Sequence, residues 1–319
     1  MNDDGLNRFF MEHLFHDRNI KNIKYLYSLR VESIDNLIKN GLFDNFVMCS
    51  ELWMIKFAYE LMGKNYDFNS NNGKFFKIIF LYGKLDIVKW VWEKMHEPEL
   101  DQWTIDKAAE SGFLEILKWL MSEPKFKFDI HDDNEKCFRE AVRHGRITIM
   151  NWIYDNKRVN LRVNNDFIFR TAAEYGQIFV IEWLIKKDPT IDIRAQNDYA
   201  FKFAAKNGHT TILRWLLEKN PSINVRMMDD FPFELAVYYK HLGTIKWLWK
   251  KSNKTINIKK KANIAFTESI LNKNISIAKW IMKTAPITVD FDKLLIAMVA
   301  ENESKHFGIE IFNFLWESF

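Results

Sequence analysis

Apolar residues recur three and four apart over short stretches, the pattern breaks, and the break itself returns at a steady interval. Between Asp198 and Asn224, Phe201, Ala204 and Ala205 share one face of a helix predicted over 199–207, while Lys202 and Lys206 point elsewhere. Asp198 stands where a side-chain oxygen is expected to cap the open backbone N–H groups of that helix. Gly208 ends it, because a residue without Cβ enters the left-handed region at little steric cost. A second helix is predicted over 210–219, with Ile212, Leu213, Trp215, Leu216 and Leu217 as a wide apolar stripe and Pro221 as its stop. Ile223-Asn224-Val225-Arg226 reads as a short extended piece leading into a turn. Two such short helices cannot bury the stripe alone and need copies of themselves on either side.

The copies are present. Trp90, Trp119, Trp152, Trp183, Trp215, Trp247 and Trp280 follow one another at intervals of 29, 33, 31, 32, 32 and 33, and Tyr25, Phe57 and Phe314 extend the series at both ends. Seven positions before each tryptophan stands a turn residue: Gly83, Gly112, Gly145, Gly176 and Gly208, then Lys240 and Lys273. Small residues precede the turn in Ala108-Ala109, Ala172-Ala173 and Ala204-Ala205, and Ala141 and Ala236 keep the first of the pair. The expectation is an all-α solenoid of roughly eight to ten helix–turn–helix units, with the tryptophans in its core. Burying each indole stabilises by on the order of 2–3 kcal/mol.

The pattern A-A-x-x-G-x-x-x-[IV]-[LV]-x-W-L-[LI] at a period near 32 resembles the ankyrin repeat. The resemblance implies paired antiparallel helices stacked as a scaffold that binds proteins, without catalysis or cofactor. Two features depart from the family. Its T-P-L-H entry is replaced by Tyr199-Ala200-Phe201-Lys202 and Phe167-Ile168-Phe169-Arg170, with the proline kept only in Phe231-Pro232-Phe233-Glu234. The histidine that ties neighbouring turns is therefore missing, and tryptophan replaces leucine in the second helix. This variant looks like the divergent arrays encoded by giant DNA viruses of amoebae, which implies a host-cell cytoplasmic setting. The array is assigned to 71–284, with degenerate N-terminal capping repeats over 1–70 and a C-terminal capping repeat over 285–319. A separate N-terminal domain is the alternative for the first stretch.

Composition narrows the remaining choices. Only 11 Gly and 6 Pro among 319 residues argue against long disordered linkers. Cys49 and Cys137 are far apart and sit in helical patterns, so no disulfide framework is expected and the compartment reads as reducing. Acidic residues near the start and the lack of an apolar run near ~18 residues give a soluble, intracellular chain with no membrane partner. His13 with His16, and His131-Asp132-Asp133, lack the further ligands a metal site needs. No nucleophile, phosphate-loop or dinucleotide motif is found, so neither an enzyme nor a small-molecule substrate is expected.

Two surfaces remain for recognition. The geometry of ankyrin arrays implies binding through turn tips and the ends of first helices. Those positions are Arg143, His144, Glu174, Tyr175, Lys206, Asn207, Tyr238 and Tyr239, together with Arg194, Gln196 and Arg226 near the turns. They vary where the surrounding scaffold repeats, and Tyr and Arg are residues enriched at interface hot spots. Between units runs a column, Asn160-Leu161-Arg162, Asp192-Ile193-Arg194 and Asn224-Val225-Arg226, followed by Asn165-Asp166, Asn197-Asp198 and Asp229-Asp230, for which helix capping is the simplest role. The alternative surface is cationic. Residues 240–283 hold eleven lysines against Glu268 alone, a charge of +10 where the whole chain is +4. Lys250, Lys251, Lys254, Lys259, Lys260 and Lys261 are the candidates there for binding nucleic acid or another anion. The preferred reading is a monomeric scaffold docking one protein partner.

Overall fold

The computed structural model describes residues 52–61, 83–95, 100–126, 128–253 and 274–284, with isolated positions at 79, 256, 265–267, 269 and 270. All regular structure among the described residues is helical, in thirteen elements. The chain divides into two compact units, Met1–Ile130 and His131–Phe319. The expected C-terminal capping repeat, Cys49, Lys273 and nearly all of 1–70 lie outside the described residues.

In the first unit are α1 (Leu52–Leu61), α2 (Leu85–Lys94), α3 (Gln102–Ser111) and α4 (Leu114–Ser122). α3 ends at Gly112, whose φ of 92° lets its N–H close on Ala108. Ala108 and Ala109 are buried, so α4 lies close against α3. Trp92, Trp119 and Phe126 meet edge to face, with ring centroids 5.5–6.0 Å apart.

The second unit contains α5 (Asp132–Arg143), α6 (Ile147–Lys157), α7 (Val163–Glu174), α8 (Ile178–Lys187), α9 (Ala195–Lys206), α10 (Thr210–Lys219), α11 (Met227–Tyr238), α12 (Leu242–Lys251) and α13 (Ile275–Thr284). α5 with α6, α7 with α8, α9 with α10 and α11 with α12 form four helix pairs. First helices pack on one another in order, α5 on α7, α7 on α9 and α9 on α11, so the pairs stack as a solenoid. The alanines at 141, 172, 173, 204, 205 and 236 are wholly buried, which permits that approach.

The core is built around phenylalanine more than tryptophan. Phe138, Phe169, Phe201, Phe233 and Phe266 are buried at equivalent first-helix positions. Phe138 meets Trp183 at 6.1 Å and Phe169 meets Trp215 at 6.2 Å, so each ring reaches the second helix of the next pair. Trp119, Trp215 and Trp247 are buried as expected, whereas Trp90, Trp152, Trp183 and Trp280 keep part of their surface open. The Trp183 indole N–H donates to Asn151 Oδ1 at 2.9 Å. An indole presents a polar N–H that gains from staying near a partner or water, and a phenyl ring has no such demand.

Candidate functional site

The first helices α5, α7, α9 and α11 each have two very different ends. At its start, three consecutive residues lie in the left-handed region: Asp133–Glu135, Asn164–Asp166, Gln196–Asp198 and Met228–Asp230, with φ between 45° and 68°. L-residues enter this region singly as a rule, at about 1–2 kcal/mol each, with Asn and Asp the most tolerant. Three in a row, repeated four times, require compensation from side chains.

The compensation is visible. Arg162 donates to both carboxylate oxygens of Asp166 at 2.8 and 3.2 Å, Arg194 to Asp198 at 2.7 and 2.9 Å, and Arg226 to Asp230 at 2.8 and 3.2 Å. All three carboxylates are buried. In the first pair His131 Nδ1 stands 2.8 Å from Glu135 Oε2 and takes the arginine's place. Asp166 also accepts the backbone N–H of Asp192 at 3.2 Å, and Glu135 that of Asn160 at 3.2 Å, so these groups link each turn to the next. Asn160, Asp192 and Asn224 accept from the N–H of Arg162, Arg194 and Arg226, which fixes the approach to each turn. The carboxylate hydrogen bonds hold all three guanidinium pKa values above their ordinary range. Arg170 braces its turn from behind, donating to the carbonyls of Asn164 and Asn165 at 2.8 and 3.1 Å, and its burial lowers its pKa. A cleft of about 410 Å³ lies between two such turns, lined by Arg162, Asn165, Asp166, Asp192, Ala195 and Gln196.

These contacts correct the capping role expected for Asp198 and its equivalents. The hydrogen bonds of the Asp166, Asp198 and Asp230 carboxylates do not run to the first N–H groups of the right-handed helix that follows each of them. The carboxylates instead bind an arginine four residues earlier. They also supply part of the bonding between neighbouring turns that the missing histidine left open.

At the other end the backbone closes on itself. The N–H groups of Gly208 and His209 bond the carbonyls of Ala205 and Ala204, and Gly176 with Gln177 and Lys240 with His241 repeat the same pair of bonds. The side chain that follows each turn residue reaches back one repeat. Gln177 donates to the Arg143 carbonyl at 2.8 Å, and His209 Nε2 to the Glu174 carbonyl at 3.0 Å. His241 makes the equivalent bond to Lys206. Burial lowers the pKa of both histidines. Asn207 also donates to the Glu174 carbonyl, at 2.8 Å.

With the backbone satisfied locally, this edge presents side chains. Tyr175, Phe179, Tyr238 and Tyr239 are 42, 76, 57 and 42% exposed. The Arg143 guanidinium lies 4.7 Å from the Tyr175 ring, and Lys206 lies 5.1 Å from both Phe203 and Tyr239. Tyr199 stacks on Phe203 at 3.9 Å and donates to Glu174 at 3.0 Å. Burial, then the Glu174 charge, push the Tyr199 phenol up to about 12.

The structure thus divides the sequence-predicted partner residues. Arg143, His144, Glu174, Tyr175, Lys206, Asn207, Tyr238 and Tyr239 gather where first helices end. Arg194, Gln196 and Arg226 lie at the opposite ends of those helices, two of them bound to buried carboxylates. Phe179 belongs to the first group and was not among the residues singled out. Its signal was an aromatic inside the second helix but off the apolar stripe. Of the lysine group, Lys250 and Lys251 are exposed at the end of α12, while Lys254, Lys259, Lys260 and Lys261 lie outside the described residues.

A family model for ankyrin repeats (three copies) matches residues 138–229 and again 169–261. The matched stretch runs from within α5 past the end of α12, less than half of the chain, and shows that the second unit carries ankyrin repeats, a class of scaffold that generally mediates protein–protein interaction. No curated protein matches the chain. Among the described residues no helix is long and apolar enough to cross a membrane.

Proposed function

We infer that the protein is a non-catalytic scaffold whose ankyrin array binds a partner protein through the ends of its first helices. One observation carries this reading. Where the backbone repeats most faithfully, at the Gly176, Gly208 and Lys240 turns, the side chains differ from repeat to repeat and leave aromatic rings in solvent beside Arg143 and Lys206. Rigid aromatic and cationic anchors of this kind supply much of the energy at protein interfaces. The opposite ends contribute Gln196 and the exposed faces of Arg194 and Arg226, which a partner spanning the first helices would also meet. A monomeric chain working in the cytoplasm, and the likeness to giant-virus arrays, belong to the same reading and rest on the sequence pattern.

The test is affinity purification of the tagged full chain from cells, beside a Tyr175→Ala/Tyr239→Ala chain. Loss of a co-purifying protein on the double substitution, with helical circular dichroism unchanged, is the expected result. An unchanged set of partners places binding elsewhere.

A further inference from the structure

The two ends of the first helices differ in charge. Around the left-handed turns Asp133, Glu135, Asp166, Asp192, Asp198, Asp229 and Asp230 outnumber Arg139, Arg162, Arg170, Arg194 and Arg226. Where α5, α7, α9 and α11 end, the described residues of the second unit supply Arg143, Arg146, Lys206 and Lys240 with Glu140 and Glu174, a net +2 with the histidines neutral. Both of those carboxylates are already engaged, Glu140 by Arg143 at 3.2 Å and Glu174 by the Tyr199 hydroxyl at 3.0 Å.

The cations are ordered along the stack. The first pair supplies Arg143 and Arg146, with His144 beside them. The second supplies no cation at its turn and leaves Tyr175 and Phe179 exposed instead. The third supplies Lys206, and the fourth Lys240 beside Tyr238 and Tyr239. Among the described residues of the second unit, four of the five exposed large apolar or aromatic side chains lie on this edge, Met228 being the other.

Resting on the scaffold reading, we propose that this edge receives an acidic segment of the partner protein in which carboxylates flank an aromatic or large apolar side chain. The central side chain packs on Tyr175 and Phe179. One flanking carboxylate meets Arg143 and Arg146, the other Lys206 and Lys240. Rings hold Arg143 and Lys206 in place, so less side-chain freedom is lost on binding. Nucleic acid fits this order poorly. A chain of evenly spaced phosphates meets Glu174 and two exposed rings where the row of cations is interrupted, whereas a peptide places its charges only where they are matched.

The experiment pans phage-displayed random dodecapeptides on the full chain and measures the enriched peptides, made synthetically, by fluorescence anisotropy. The expected consensus carries Asp or Glu on both sides of an aromatic or leucine. Its affinity falls about tenfold with Arg146→Glu or Lys240→Glu, both at exposed positions, and weakens with salt. A neutral or basic consensus, reversals without effect, no enrichment, or tighter binding of a single-stranded oligonucleotide of equal charge each overturns the inference. A neutral consensus whose binding is lost on Tyr175→Ala/Tyr239→Ala sinks the acidic partner while keeping the scaffold reading. The purification experiment judges that reading independently.

Discussion

The starts and the ends of α5, α7, α9 and α11 solve the same problem, reversing the chain, by opposite means. At the end, the turn bonds pair backbone with backbone, and Gly176 or Gly208 takes the left-handed conformation cheaply. At the start, residues such as Gln196 and Met228 are held left-handed at a cost, and buried carboxylates with their arginines offset it. Side chains that hold the backbone are committed to it. Side chains beside a turn that holds itself are available for something else, and here they are tyrosines, Phe179, arginine and lysines.

Removing a committed side chain gives the largest expected effect. Asp230 is fully buried at φ 68°, so Asp230→Ala loses its hydrogen bonds and puts alanine in the left-handed region, at about 3 kcal/mol read from urea unfolding. A smaller effect is expected at the other end. A Cβ on Gly208 would stand 2.5 Å from the His241 ring, so Gly208→Ala should cost about 2 kcal/mol, mostly by displacing that ring from its bond to Lys206. Lys240 holds the equivalent position at φ 68° without being glycine, and Lys240→Gly should stabilise by about 0.5–1 kcal/mol. A destabilised Lys240→Gly chain would break the equivalence of these turns.

Acid sharpens the comparison further. His209 and His241 have pKa values lowered by burial below the ordinary ~6.5. The unfolded chain therefore binds protons first as pH falls. The stability they contribute is complete above about pH 6.5 and is lost as pH drops through their folded values. Urea midpoints taken from pH 7.5 down to 5 should decline, and His209→Gln, which copies Gln177, should flatten the decline. An equal slope in the substituted chain would contradict the role given to His209. The smallest effect is expected at Lys206, where Lys206→Ala should change stability by less than about 0.5 kcal/mol.

Much of this architecture was legible in the residues. The turn glycines, the alanine pairs and the second-helix tryptophans recur in phase, and the pair predicted over 199–207 and 210–219 is found as the right-handed part of α9 and as α10. The phenylalanine column at 138, 169, 201, 233 and 266 carries the same period, but the indoles of the second helix are the larger apolar signal and Phe201 alone stands out beside its alanines. The left-handed starts were hidden for a physical reason. A carboxylate just before a helix caps it in most proteins, and Arg162–Asp166, Arg194–Asp198 and Arg226–Asp230, each four apart, reveal their ion pairs only once the turn's conformation is known. The candidate partner residues are readable as variable positions, but their division between two ends depends on which first helices adjoin and in which direction.

The account rests on the claim that one end of these helices holds the fold while the other is left to recognise. Urea unfolding of two triple variants, Asp166→Ala/Asp198→Ala/Asp230→Ala and Tyr175→Ala/Lys206→Ala/Tyr239→Ala, measures that claim most directly. The expected result is that the first loses cooperative unfolding or most of its stability, while the second stays within about 1–2 kcal/mol of the parent chain. Equal losses in the two, or a larger loss in the second, would contradict it.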